Sequence, residues 1–216
     1  MKSKRVKILN VAAKLIAKKG YGETSFQEIA DVVKLHKSSL FYYFRSKEEL
    51  LLKILEKPIQ EVGINLENIV RDKELEPEEK LKKAIDNHLE KLTEHLDTIN
   101  IFLNEIRNLS NKNRWVYIEK RKNYEKEFMK IILEMKSKGH FKGLNPKIVT
   151  LGLLGMLNWS VKWYRKNGPL SLVEISNIFY RIINLHPQDE SPNINLIIDD
   201  TNRNLRTRAI GQRGFP

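Results

Sequence analysis

Lys37, Ser38, Ser39, Tyr42, Tyr43 and Lys47 crowd into one run, Lys37-Ser38-Ser39-Leu40-Phe41-Tyr42-Tyr43-Phe44-Arg45-Ser46-Lys47-Glu48-Glu49-Leu50. These side chains suit the holding of a polyanion. A phenol donates to a phosphate while its ring lies along a sugar, and a short serine hydroxyl lets a helix come close to base edges. A lysine reaches either a guanine or a phosphate. Covalent chemistry finds no comparable set. There is no cysteine, and His36, His88, His95, His140 and His186 pair with no serine elbow or carboxylate cluster. His88 and His95 lie two turns apart with Glu94 nearby; a surface location is expected for them rather than a metal site. No catalytic residue, metal ligand or cofactor is expected.

The elements that must position these groups are helices. Val6, Leu9, Ala13, Ile16 and Ala17 recur at three and four, and Gly20 marks a C-terminal stop. Ser25-Phe26-Gln27-Glu28 reads as a capping box opening a short second helix with Phe26, Ile29, Ala30 and Val33 on its apolar face. A turn at Lys34-Leu35-His36 separates it from a third helix over about 37–43. Two helices so joined have the spacing of a helix-turn-helix, whose second helix enters the major groove. Leu40 and Phe44 are then placed to pack on Ile29, Ala30 and Leu15. This leaves Lys37, Ser38, Ser39, Tyr42 and Tyr43 facing outward. Ser46-Lys47-Glu48-Glu49 opens a long fourth helix with Pro58 as an expected kink. Lys47 sits in its first turn, where free N–H groups and the helix dipole already attract an anion.

Charge agrees with this placement. The 216 residues carry a formal net charge of +12, with a pI near 9.7. Residues 1–53 hold 12 Lys and Arg against 5 Asp and Glu, so more than half of the excess sits in a quarter of the chain. A nucleic acid is the first partner this suggests and an anionic membrane surface the second. Lys7, Asn10 and Lys14 interrupt any secretory apolar segment, and the run from Val149 to Trp159 is too short to span a bilayer. A soluble, cytoplasmic, all-α protein of about nine helices is expected.

Beyond the basic head, Pro77 starts a helix with Leu81, Ile85, Leu89 and Leu92 on one stripe. A short helix is predicted over about 98–108. A long one over about 112–138 carries Trp115, Ile118, Tyr124, Phe128, Ile131 and Ile132, and ends at Gly139. Asn145-Pro146 starts a helix apolar on nearly all sides through Tyr164, which must be buried on two faces. Ser171 caps a last helix reaching Leu185. Residues 187–216 lose the periodicity and read as a tail, with one strand-like stretch at Asn193–Ile198. The domain expectation is 1–46 for the head, 47–186 for the body and 187–216 for the tail.

The run from Ile8 to Leu55, with GYGETSFQEIADVVKLHKSSLFYYFRSKEEL at its centre, resembles the DNA-binding domain of the TetR family of transcriptional repressors. That resemblance implies DNA contacts from Thr24, Ser25, His36, Lys37, Ser38, Ser39, Tyr42, Tyr43 and Lys47. Two positions depart from the family pattern. Lys34 stands where a turn glycine is usual, which implies either a turn without positive φ or a small strain. His36 replaces a small hydroxyl cap. The resemblance also implies a homodimer built from the last two long helices, on a palindromic operator with half-sites about 34–36 Å apart. Leu151, Leu154, Ile175, Ile178, Phe179 and Ile182 supply apolar stripes for such pairing, and Gly152 and Gly155 permit close approach.

The segment Gly152–Ser171, with Asn104–Ser110, Arg121 and Tyr124, is similar to TetR members that govern fatty-acid or sterol catabolism and respond to acyl-CoA. It implies a ligand site drawn from Arg107, Arg121, Tyr124, Asn158, Trp159 and Trp163, with a long-chain acyl-CoA as the effector. A regulator of efflux or stress genes answering a different hydrophobic ligand is the alternative. A helical acyl-thioester enzyme and a nucleoid-like DNA packager stand further behind.

Overall fold

The computed structural model describes residues 2–95, 98, 101 and 105–184. Its helices are α1 (Lys2–Lys19), α2 (Phe26–Val33), α3 (Lys37–Tyr43), α4 (Lys47–Arg71), α5 (Pro77–Glu94), α6 (Asn111–Ser137), α7 (Pro146–Trp163) and α8 (Leu172–Ile183), with a 3-10 turn at Ile106–Asn108 before α6. Among the described residues there is no strand. The strand-like stretch and the tail fall outside the described residues, as does part of the helix predicted over 98–108.

Local signals account for the ends of these helices. Ser46 Oγ accepts from the Glu49 N–H at 3.0 Å, and the Glu49 carboxylate accepts from the Arg45 N–H at 2.9 Å. At Ser171 the reciprocal pair closes fully, with Glu174 N donating to Ser171 Oγ at 3.2 Å and Ser171 N to the Glu174 carboxylate at 2.7 Å. The box at Ser25 is only half formed. Glu28 N donates to Ser25 Oγ at 3.1 Å, but the Glu28 carboxylate pairs with Lys19 on α1 instead of reaching back. Lys34 takes the left-handed conformation, φ 60° and ψ 51°, and its N–H and that of Leu35 close on the carbonyls of Asp31 and Ala30. Of the two possibilities for this turn, the strained one is realised, and it bends the chain sharply enough to cross α3 over α2.

Two apolar cores result. The first joins α1, α2, α3 and the start of α4 through Ile8, Ala12, Ile16, Ile29, Leu40, Phe44 and Leu50. Leu40 and Phe44 are completely buried, each contributing about 2 kcal/mol of transfer free energy. The inward stripe of α1 is Ile8, Ala12 and Ile16 rather than one led by Val6, which is 44% exposed. The second core gathers Leu66, Leu81, Ile85, Phe128, Ile132, Leu153, Leu157 and Phe179 from α4 to α8. Helix α4 contributes to both and runs unbroken through Pro58, which leaves the Ile54 carbonyl without its helical donor.

Helix α7 is buried on one face by its own chain. Within one chain Leu153, Leu154 and Leu157 are buried, while Ile148, Trp159 and Trp163 remain exposed. A Cβ at Gly152 or Gly155 would meet nothing within 4 Å. Trp115 also sits outside the core, 63% exposed. Its helix instead presents Tyr117, Phe128, Ile131, Ile132 and Met135 inward.

Candidate functional site

The exposed face of α3 and the turn before it carries most of the residues predicted for DNA. His36 is the exposed N-cap of α3 and makes no side-chain cap bond. Lys37 and Ser38 are exposed, Ser39 is half-buried, and Tyr42 is 73% exposed. The Tyr43 ring, half-buried, braces Tyr42 edge-on at 5.3 Å. Phe41 packs on Phe26 at 5.0 Å, so the neighbouring aromatics lock the helix to α2. Ser25 is exposed with its hydroxyl occupied as a cap. Thr24 is not brought to this face by its side chain: it is 1% exposed and donates to the Gly20 carbonyl at 2.9 Å.

Lys47 has two attachments. Its Nζ donates to the Gly22 carbonyl at 3.1 Å and lies 4.3 Å from the centre of the Tyr21 ring. Partial burial lowers its pKa, with Lys19 adding to the effect and Glu23 and Glu105 opposing it. An ammonium has three donors, so these contacts aim the group without exhausting it.

The head is tied to the segment leading into α6. The Tyr21 N–H donates to Glu105 at 3.2 Å. The Glu48 carboxylate accepts from the Ser110 N–H at 2.7 Å and from the Asn113 amide at 2.6 Å. The bonds from Ser110 hold the Glu48 carboxyl below its usual range. Leu109, Ile101 and Tyr117 join the head's apolar core.

A cavity of about 670 Å³ opens between α4, α5, α6 and α7. Leu55, Pro58, Val62, Leu92, Leu151 and Leu154 supply apolar wall. Of the residues predicted for a ligand, Arg121, Tyr124, Asn158 and Trp159 do line it. Arg107 and Trp163 do not: Arg107 is exposed on the 3-10 turn, and Trp163 stands edge-on to Phe179 at 6.2 Å.

His88 was placed on the surface by sequence reasoning, yet it is 8% exposed and forms part of the cavity wall. Its Nδ1 lies 2.9 Å from the Tyr124 hydroxyl. Burial pushes the imidazole pKa down to about 4, against the raising effect of the nearby Asn158. Burial also raises the Tyr124 phenol well above its ordinary value and takes Tyr117 up to about 12. His95 pairs separately with Glu61 at 2.7 Å, and the described residues hold no cluster of metal-ligating side chains. The signal for His88 was its place on the Leu81, Ile85, Leu89 stripe. Lys91, Lys122 and Lys162, also at the cavity, gave no signal because lysine is frequent throughout the chain.

A three-helix basic head with a helix-turn-helix, carried on a helical body that encloses a cavity, defines a DNA-binding regulator of transcription. The model of the bacterial regulatory proteins of the tetR family matches residues 8–54, and that of the tetracyclin repressor-like C-terminal domain matches residues 74–184. The chain belongs to the TetR family, whose members are transcriptional regulators and not enzymes. It is 27% identical over 183 residues to the HTH-type transcriptional repressor KstR2 of Mycobacterium tuberculosis, covering 84% of this chain and 91% of that one. It is 25% identical over 182 residues to the fatty acid metabolism regulator protein of Bacillus subtilis, covering 82% and 93%. Its fold is similar to that of AibR in complex with isovaleryl coenzyme A and operator DNA, with a TM-score of 0.73 at 25% identity, covering 84% and 98%. No helix among the described residues is long and apolar enough to cross a membrane.

Proposed function

We propose that this protein is a transcriptional repressor that grips a palindromic operator as a homodimer and lets go when a fatty acyl-CoA enters its cavity. The observation that carries the reading is the make-up of that cavity: an apolar space of about 670 Å³ flanked by Lys91, Arg121, Lys122 and Lys162. Such a pairing of apolar volume with cations suits an amphipathic anion. The names of the similar proteins support it, since one regulates fatty acid metabolism and another binds an acyl-CoA and operator DNA.

Residues 25, 36–39, 42, 43 and 47 are the proposed DNA contacts, with Tyr42 and Lys47 on phosphates and Lys37 and Ser39 toward bases. A dimer is supported by the apolar surface that one chain leaves uncovered on α7 and α8. Ile148 is 65% exposed, Val173 65%, Ile178 42% and Ile182 49%, and a second copy buries such a surface while setting the spacing of the two recognition helices. Control of the operator then follows from the ties at Glu48 and Glu105, which join the cavity-lining α6 to the head.

The test is a titration of the protein on its selected operator with oleoyl-CoA, following operator anisotropy and tryptophan emission together. Release of the operator with a change in Trp159 emission is expected, and light scattering should return twice the 25.4 kDa chain mass. Undisturbed operator binding across acyl-CoA chain lengths refutes the effector, and a monomer mass on the operator refutes the dimer.

A further inference from the structure

Three helices each bring one polar side chain to the same place in the cavity wall: His88 from α5, Tyr124 from α6 and Asn158 from α7. Tyr124 lies 2.9 Å from Nδ1 of His88, and Asn158 lies beside the same ring. The imidazole titrates near 4, so at neutral pH it owns one N–H. With its proton on the other nitrogen, the neutral ring accepts a hydrogen bond at Nδ1 from the Tyr124 hydroxyl. The Asn158 amide is exposed at the cavity and offers its two N–H donors there.

The cations form a separate layer. Lys80 at the start of α5 pairs with Glu134 near the end of α6, so the two helices run antiparallel. The short connection from α6 to α7, with Lys136 donating to the Leu144 carbonyl, turns the chain back again. Moving three residues on from His88, three back from Tyr124 and four on from Asn158 thus leads in one direction. It arrives at Lys91, Arg121 and Lys162, one helical turn or about 5 Å away. All three line the cavity. One layer is uncharged and offers N–H donors, while the next carries the cations, Lys91 among them paired with Glu94 at 2.6 Å.

We infer that His88, Tyr124 and Asn158 form a reader for the uncharged carbonyl of an acyl thioester, with the Asn158 NH₂ as donor. This rests on the acyl-CoA reading above and deepens it. A free fatty acid cannot satisfy both layers. Its carboxylate goes to the cations and leaves the Asn158 donors unfilled against the ligand, or sits at the neutral layer one turn from its counter-charge. A thioester puts a neutral acceptor at Asn158 and leaves its anionic portion for the lysines and arginine.

The test measures binding of oleoyl-CoA and of its S-alkyl thioether, which lacks only the carbonyl, by tryptophan emission on the full chain. The wild type should prefer the thioester about tenfold, the worth of one well-made hydrogen bond. Asn158→Asp keeps the shape of the side chain but removes the donors, and the ratio should fall to about one. Asn158→Leu checks that this collapse is not an effect of charge. Equal binding of thioester and thioether by the wild type overturns the reader while the acyl-CoA reading stands, as does a tenfold preference that survives in both variants. Failure of oleoyl-CoA itself to bind or to release the operator overturns the acyl-CoA reading.

Discussion

Replacing Lys47 by Met keeps the apolar stem against Tyr21 and removes only the charge. The wild-type ammonium, 3.1 Å from the Gly22 carbonyl and over the Tyr21 ring, is held at the first turn of α4 with a donor to spare. If that donor meets a phosphate, each subunit loses one counterion-releasing contact, and the slope of log affinity against log salt becomes less negative by about 1.8 for a dimer. Between 50 and 200 mM salt the gap between wild type and variant should then shrink by about twelvefold, four raised to the power 1.8. The alternative is that Lys47 only fastens the 20–24 turn to α4. In that case the cation–ring contact, about 0.5–1 kcal/mol, is lost equally at every salt concentration. Anisotropy titrations on one operator across that range separate the two. Parallel salt plots for wild type and Lys47→Met would remove Lys47 from the DNA contacts.

Two further outcomes are expected. Lys34→Gly relieves a left-handed residue that costs about 1–2 kcal/mol, offset in part by the greater freedom of glycine in the unfolded chain. The variant should gain about 1 kcal/mol, a rise of about 2–4 °C in melting temperature, and a fall would show that Lys34 does not occupy the αL region. The folded His88 imidazole titrates near 4 and an unfolded one near 6.5, so acid favours unfolding. Stability that is whole above pH 6.5 declines toward pH 4, by about 2 kcal/mol on reaching pH 5. Urea unfolding at pH 7 and pH 5 should show this loss in the wild type and a smaller one in His88→Gln; equal losses would refute the buried neutral histidine.

The head was legible because its signals are local. Ser46 and Ser171 announce helices whose caps are observed, and Gly20 and Gly139 stop theirs with φ of 89° and 97°. Leu40 and Phe44 share a face by spacing alone. The inward stripe of α1 was misjudged because Ile8 and Ala12 compete with Val6, Leu9 and Ala13 for one narrow surface, and only contact with α2 and α4 decides the rotation. The cavity was half legible for a different reason. Arg121, Tyr124, Asn158 and Trp159 were picked out, but a wall built from four helices depends on how each is turned against the others. Arg107 looked like its neighbours in type and ended on a 3-10 turn outside. The outer face of α7 reads as core in the sequence because apolar residues do not say whether their cover comes from the same chain.

Glu48 serves two masters. It belongs to the opening turn of α4, yet its oxygens receive the Ser110 N–H and the Asn113 amide at the opening of α6. One carboxylate thereby rivets two helix beginnings together, and Glu105 adds a second rivet through the Tyr21 N–H. Any push on α6 from inside the body must drag the reading head along or shear these polar joints. These directional bonds stand beside the apolar contacts of Leu109 and Tyr117 with the head's core, and they are far less forgiving of slippage than greasy contact.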